Sequence, residues 1–277
     1  MDNQLSSVCR LLGLNFNDSQ LAEALNPFRI GDLLDEGVMA VVFEAINAED
    51  GTQVIVKLPS PEEYLLEPDF PTRVRTLQYE SDWLEQARHH AIKGVVRVIA
   101  NRTNERFPFL VLEKLGPSLG TTIEANGREI LLEDCLVMLR DIATVLQRLH
   151  GCELYHCDVK PDNILQDRQG WTLIDPAPVN NNTIEYLDER VPAGPRRDIL
   201  ALGRTFLAAY LGAENSFVIK DLEGCDIYDH PALLQLVKRM LRESRYAIPD
   251  ARTVRRLASR ILADEYGVSS PRYRMHE

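Results

Sequence analysis

The ten residues HCDVKPDNIL, residues 156–165, collect several kinds of polar group in one short stretch. Asp158 supplies a carboxylate, Lys160 an ammonium and Asn163 a side-chain carbonyl, and His156 precedes them. The aliphatic pair at the end of the stretch is typical of a short strand, so the polar residues before it form a loop. An acid, a cation and a metal-binding oxygen placed this close together indicate a catalytic loop.

A second carboxylate follows in LIDP, residues 173–176, where Asp175 ends a short apolar strand. Phosphoryl transfer requires metal ions that bridge the phosphates, a carboxylate that orients the attacking hydroxyl, and cations that balance charge. Asp175 is well placed to bind a metal ion beside the loop of residues 156–165. The combination predicts phosphoryl transfer.

The hydrophobic pattern predicts a strand-rich part followed by a helix-rich part. Runs rich in β-branched and aromatic residues predict strands at 38–46, 52–58, 95–100 and 107–115. Helical spacing predicts helices at about 3–25 and 72–90, and then at 131–150, 196–212, 231–244 and 250–267. Two very short strands are expected at 163–166 and 171–174. The polar loop therefore lies in the helix-rich part.

Composition narrows the class of protein. A formal net charge of −11 over 277 residues argues against a broad surface for nucleic acid or anionic lipid. No apolar run approaches the roughly 18 residues of a membrane helix, and the N-terminus lacks a secretory pattern. The five cysteines show neither CxxC pairs nor zinc spacing, which predicts reduced thiols. We therefore expect a cytoplasmic protein without nucleic-acid or membrane partners.

With these motifs in this order, the chain resembles the eukaryotic-type Ser/Thr protein kinases over about residues 29–263. Residues 156–165 are similar to the family's HRDxKxxN loop, and LIDPA (173–177) to its DFG motif. VIVK (54–57) stands where the family has VAIK, and FLVLEKL (109–115) resembles its hinge. The resemblance implies a bilobal α+β fold. Its parts would be an N-terminal helical extension at 1–28, an antiparallel-sheet N-lobe with one helix at 29–114, and a helical C-lobe at 115–277.

The resemblance also implies a role for each matching residue of the polar loop. Asp158 would orient the substrate hydroxyl and accept its proton, while Lys160 would stabilise charge on the γ-phosphoryl group. Asn163 and Asp175 would hold Mg²⁺, with Mn²⁺ as an alternative. His156 would have a structural role in holding the loop.

Further roles follow for residues elsewhere in the chain. Lys57 would contact the α- and β-phosphates of ATP, and Glu80 would be its ion-pair partner, with Glu85 as a rival on the same helix. Asp198, in DILALG (198–203), would brace the catalytic loop. The remaining ATP-binding residues would be Gly37, Val42, Ile55, Leu112 as gatekeeper, Glu113 and Leu115 of the hinge, and Leu165 beneath adenine.

The chain departs from the family in the phosphate-binding loop. The glycines of GxGxxG fall on Asp35, Gly37 and Ala40, so only the middle one remains. Asp35 adds negative charge near a polyphosphate and makes the loop stiffer. Ile55 in place of alanine should narrow the adenine pocket. We expect modest nucleotide affinity.

Other departures concern activation. Cys157 stands in place of the Arg that pairs with a phosphorylated activation loop, and the segment from Asp175 to Asp198 is short. Pro176 and Ala177 replace the Phe and Gly of DFG, and proline restricts the backbone. This atypical activation segment predicts a kinase held near one conformation, with little dependence on loop phosphorylation.

Three functions fit these motifs. The first is a Ser/Thr protein kinase that uses ATP and Mg²⁺ on a protein substrate. The second is a kinase of a small-molecule hydroxyl, against which Lys160 argues. The third is a pseudokinase that binds or scaffolds. The helix before residue 25 is expected to brace the N-lobe.

Overall fold

The computed structural model describes residues 18–60, 70–126, 130–167, 170–178, 192–212, 226–242 and 249–267. The chain forms two compact units, one of residues 1–88 with 96–114 and the other of residues 89–95 with 115–277. The first contains an antiparallel sheet and the second is mainly helical. The predicted bilobal α+β fold is confirmed. Among the described residues, no helix has the length and apolar character needed to cross a membrane.

The first unit is built around a five-stranded sheet in the order β1-β2-β3-β5-β4. Its strands are β1 (Phe28–Glu36), β2 (Ala40–Asn47), β3 (Gln53–Pro59), β4 (Val98–Asn101) and β5 (Leu110–Glu113). Its described helices are α1 (Asp18–Leu25) and α2 (Phe70–His89). All neighbouring strands pair antiparallel.

One face of this sheet carries the core of the first unit. Side chains alternate between faces along each strand, so the buried residues at alternate positions of β2 and β3 point the same way. Phe43 and Val56 are directly paired on this face. Leu21 and Leu25 of α1 join the same hydrophobic cluster and are almost fully buried. Helix α1 therefore stabilises the sheet from the face that holds the core.

In its described residues, the second unit contains two short strands and most of the helices. The helices are α3 (Leu119–Asn126), α4 (Leu132–Gly151), α5 (Pro195–Leu211), α6 (Pro231–Met240) and α7 (Ala251–Tyr266). Two 3₁₀ turns span Pro161–Asn163 and Asp226–Asp229, and β6 (Ile164–Asp167) pairs antiparallel with β7 (Gly170–Leu173). Helix α4 is central because it contacts α5, α7 and β7.

Sequence patterns explain the boundaries of these helices. Helix α4 buries Leu139, Ile142, Leu146 and Leu149, which recur at helical spacing. Helix α7 begins where the Asp250 carboxylate accepts from the Thr253 amide at 2.7 Å, as an N-cap. Each predicted helix after residue 130 is observed, with ends that shift by a few residues.

Three elements differ from the sequence prediction. Strand β1 was not predicted because FRIGDLLDE is polar and mostly exposed, as an edge strand can be. Helix α3 was missed because it has only 8 residues and weak periodicity. The predicted helix at about 3–25 is observed only as α1, and its earlier part lies outside the described residues.

Gly94 is required where residues 89–95 pack against the rest of the second unit. Its φ is +86°, and its carbonyl accepts from the Leu173 amide at 2.9 Å. An added Cβ would lie 2.4 Å from Cγ2 of Val145. We expect Gly94→Ala to lower the free energy of unfolding by about 2 kcal/mol or more, measured by urea denaturation.

The double variant Gly94→Ala/Val145→Ala is the control, because removing the Val145 methyl groups makes room for the new Cβ. It should lose less stability than the sum of the two single changes. If the stability losses of the two single variants add up to that of the double variant, the clash with Val145 does not cause the destabilisation by Gly94→Ala.

Candidate active site

Lys57 and Glu80 form a buried ion pair in the first unit. Lys57 Nζ donates to Glu80 Oε2 at 2.8 Å, and the side chains are 8% and 7% exposed. Lys57 lies on β3 and Glu80 in the middle of α2, so the pair joins the helix to the sheet. The rival Glu85 pairs instead with Arg88 on the exposed side of α2. The structure thus brings together the two residues that the sequence paired.

Four of the ATP-binding residues predicted on the sheet share one face, whereas Glu113 pairs with Val54 of the core face. Val42 is directly paired with Lys57, and Ile55 with Leu112. Directly paired residues project to the same side, and Ile55 and Lys57 are two positions apart on one strand. The face opposite the core therefore carries Lys57 beside the half-buried Val42 and Ile55 and the buried Leu112.

The predicted hinge residues are held by polar contacts on both sides. The Glu113 amide donates to the Arg97 carbonyl at 3.0 Å, and its carboxylate accepts from the Arg97 amide at 2.8 Å. Lys114 Nζ pairs with Glu44 at 2.7 Å. These contacts fix the backbone at the end of β5.

Leu115 and Leu165 belong to the second unit. Leu115 is half-buried and precedes Gly116, whose amide donates to the Gln166 carbonyl at 2.9 Å. Leu165 is half-buried and bridges to Ser118. The backbone after the hinge therefore runs directly beside β6.

His156 holds the polar loop from inside the second unit. The side chain is fully buried, and burial lowers the pKa of its imidazole, so the ring is neutral. Nε2 lies 2.9 Å from the Ile174 carbonyl, which can only accept, so Nε2 carries the proton. Nδ1 then accepts from the Asp158 amide at 3.3 Å. One neutral ring fixes both the start of the loop and the strand that leads to Asp175.

Asp158 is the centre of the polar loop. Asn163 Nδ2 donates to the Asp158 carboxylate at 2.8 Å and to its backbone carbonyl at 2.9 Å. Lys160 Nζ lies 3.4 Å from the same carboxylate. The Asp158 side chain is 21% exposed, so a solvent-side group can still reach it. The three residues that the sequence grouped are in contact.

Asp198 braces the loop from the start of α5. Its fully buried carboxylate accepts from the backbone amides of His156 at 3.0 Å and Cys157 at 2.8 Å. His150 Nε2 lies 2.9 Å from the same carboxylate. Cys157 has a φ of +64°, which is unfavourable for a residue with a side chain. The contact of Asp198 with the Cys157 amide stabilises that conformation.

Asp175 lies on a segment that is tied to the polar loop on both sides. The Ile174 amide donates to the Asn163 carbonyl at 3.0 Å, and the Ala177 amide to the His156 carbonyl at 2.9 Å. Asp175 itself adopts a φ of +57° between these two anchors. The backbone thus holds Asp175 and Asn163 on adjoining segments. Residues 179–191 of the predicted atypical activation segment lie outside the described residues.

The donor set of Asn163 and Asp175 suits Mg²⁺. The amide nitrogen of Asn163 is committed to Asp158, which leaves its carbonyl oxygen for other contacts. Mg²⁺ prefers oxygen ligands, and in phosphate-binding sites it takes only one or two carboxylates from the protein. Among the described residues there is no group of three or more His, Cys, Asp or Glu that could hold a metal ion alone. The residues fit an ion that is shared with substrate phosphates.

Two contacts of the site were missed from the sequence. His150 lies in the last turn of α4 and contacts Asp198. Ser60 directly follows β3, is buried and contacts the predicted phosphate-binding loop. No local pattern distinguishes either residue, because their partners are distant in sequence.

The Lys57–Glu80 pair allows a test of how much a buried ion pair contributes to stability. Glu80→Gln keeps an acceptor for Lys57 but removes the charge that balances a buried ammonium. We expect it to lower the free energy of unfolding by about 1–2 kcal/mol, measured by urea denaturation. Glu85→Gln, on the exposed side of the same helix, should change it by less than about 0.5 kcal/mol. Equal effects would contradict the burial argument.

Comparison with known proteins agrees with this geometry. A family model described as the protein kinase domain matches residues 28–175. Integrin-linked protein kinase 1 of Arabidopsis thaliana is 28% identical over 151 residues, which are 53% of this chain and 29% of that protein. Serine/threonine-protein kinase PknA of Mycobacterium tuberculosis is 29% identical over 197 residues, covering 64% of this chain and 44% of that protein.

A third relative is serine/threonine-protein kinase cds1 of Schizosaccharomyces pombe. It is 28% identical over 167 residues, covering 59% of this chain and 35% of that protein. The matches thus span less than half the length of each of these relatives.

Proposed function

Because the chain belongs to the protein kinase superfamily, we propose that it transfers the γ-phosphoryl group of ATP to Ser or Thr hydroxyls of a protein. The observation that carries the proposal is the Asp158 carboxylate, which contacts both Asn163 and Lys160. Two relatives named serine/threonine-protein kinases support the choice of hydroxyl.

Both units carry residues to which the proposal gives a role. In the first, Lys57 binds phosphate oxygens of ATP, and Glu80 holds its ammonium in place. In the second, Asn163 and Asp175 would hold Mg²⁺ through their side-chain oxygens. When bound, the ion would neutralise negative charge on the phosphates.

Asp158 acts on the substrate hydroxyl. Its carboxylate orients the hydroxyl oxygen toward the γ-phosphorus and accepts the proton as the new oxygen–phosphorus bond forms. The bond between the γ-phosphorus and the bridging oxygen breaks, and ADP leaves with the electron pair. Lys160 stabilises the negative charge on the phosphoryl group during transfer. His156 and Asp198 position the loop without touching substrate.

We further propose that activity does not depend on phosphorylation of the activation segment. Cys157 cannot pair with a phosphate as the family's Arg does, so a phosphorylated loop would lack that partner. Pro176 restricts the backbone directly after Asp175, and the Ala177 amide contact with His156 supports a single arrangement. A cytoplasmic location and the lack of nucleic-acid or membrane partners remain predictions.

Transfer of labelled γ-phosphate tests the proposal. The protein is incubated with labelled ATP and Mg²⁺, alone and with a generic protein substrate, beside Asp175→Asn. Label on Ser or Thr that depends on Asp175 and persists after phosphatase pretreatment supports both proposals. Loss of transfer after phosphatase treatment would refute independence from loop phosphorylation.

Negative results discriminate between the other two functions. ATP binding without transfer to any protein would favour a small-molecule hydroxyl as acceptor, which a screen of metabolite alcohols would identify. Absence of both binding and transfer would favour a pseudokinase. Lys160 is the residue that argues for a protein acceptor.

A further inference from the structure

Ser60 links the end of β3 to the tip of the phosphate-binding loop between β1 and β2. It is only 4% exposed although it follows the strand directly. Its hydroxyl donates to the Gly37 carbonyl, and its amide donates to the Met39 carbonyl at 3.1 Å. One buried serine therefore contacts the loop tip through both its side chain and its backbone.

Arg73 extends this link to helix α2. Its side chain is 1% exposed, and Nη1 donates to the Ser60 carbonyl at 2.9 Å. Arg73 and Glu80 lie on the same helix, two turns apart. A continuous path of hydrogen bonds thus runs from the helix that carries Glu80, through Ser60, to Gly37.

The loop tip is largely exposed in the part of the chain that the structure describes. Gly37 is exposed and Val38 is 51% exposed, so burial of apolar surface does not fix their position. Within the loop, the Gly37 amide donates to the Ala40 carbonyl at 3.0 Å. A hydrogen bond contributes about 1 kcal/mol to stability. Losing the contact from Ser60 should therefore shift the populations of the conformations that the exposed tip samples.

We propose that Ser60 and Arg73 are positioning residues that set the phosphate-binding loop over the triphosphate of ATP. The inference rests on the proposed function for its effect on ATP, but the hydrogen-bond path exists without it. The two residues act on the backbone of the loop between Asp35 and Ala40, which stand at two of the family's three glycine positions. They hold its backbone in place, so that the Gly37 region is ordered before ATP binds.

Ser60→Ala tests the role of the hydroxyl. Without the Ser60 hydroxyl, the Gly37 carbonyl loses a hydrogen-bond donor and the loop tip should open more often. Exchange of the Gly37 amide hydrogen should therefore become about fivefold faster. The KM for ATP should rise several-fold while kcat changes less than twofold, since the chemistry lies on other residues. Ser60→Thr, which retains a hydroxyl, should restore both values. Arg73→Lys should shift exchange and KM in the same direction as Ser60→Ala.

Ser81→Ala is the matched control on helix α2. Ser81 is fully buried, and among the described residues its Oγ has no hydrogen-bond partner. The Ser81→Ala variant should alter neither the exchange rate of the Gly37 amide nor the KM for ATP. Unchanged Gly37 exchange in Ser60→Ala, or equal changes in Ser81→Ala, would overturn the inference. A wild-type protein that binds no ATP would refute the proposed function. The rate of Gly37 amide exchange would still decide whether Ser60 and Arg73 position the loop.

Discussion

Replacing Asp158 with Asn is expected to lower kcat for phosphoryl transfer by about 10³-fold. The amide has the same shape and still offers an oxygen to Asn163, so the loop should keep its conformation. It cannot accept the proton of the attacking hydroxyl, and it carries no charge to pair with Lys160. Initial rates at saturating ATP measure the loss, and a thermal melt within about 2 °C of the wild type would show that the fold is intact.

Asp162→Asn is the control for this prediction. Asp162 lies in the same loop, is exposed, and undergoes the same change of charge. It should retain nearly full activity. A comparable loss in both variants would indicate a general electrostatic effect of the loop, and full activity of Asp158→Asn would exclude Asp158 as the base.

Replacing Asp198 with Asn is expected to have the largest effect on stability, about 3–4 kcal/mol. The buried carboxylate accepts from two backbone amides and contacts His150. An amide offers only one oxygen, and its NH₂ group would face a backbone donor that is then left without an acceptor. Urea denaturation followed by far-UV circular dichroism measures the change.

The same substitution should also lower activity, because the Cys157 conformation beside Asp158 depends on Asp198. Asp229→Asn, on the exposed 3₁₀ turn of the second unit, should leave stability within about 0.5 kcal/mol of the wild type. A similarly small effect for Asp198→Asn would contradict the bracing role.

Residues that form the site were predictable where a motif fixes both identity and spacing. Asp158, Lys160 and Asn163 lie within one loop, so their contact follows from local sequence. Lys57 and Glu80 are distant in sequence, and their pairing came from the order of family motifs rather than from any local pattern. Their roles in catalysis remain predictions.

Contacts that depend on tertiary packing were not predictable. Ser60 is a short polar residue after a proline, which is typical of a loop, and only the structure shows it buried. Arg73 is a cation on a helix, and such residues are usually exposed. Strand β1 is a strand because β2 supplies its hydrogen-bond partners, and its own sequence gives little indication of that.

The burial of Cys157 has a consequence for chemical reactivity. Its side chain is fully buried, and burial raises the pKa of its thiol to about 12. Because the thiolate is the reactive form, the folded protein exposes almost none of it to oxidants or electrophiles at neutral pH. We therefore expect Cys157 to react slowly with peroxide and with cysteine-directed inhibitors while the protein is folded. Alkylation of Cys157 would instead report each opening of the catalytic loop, which makes this thiol an intrinsic probe of local unfolding.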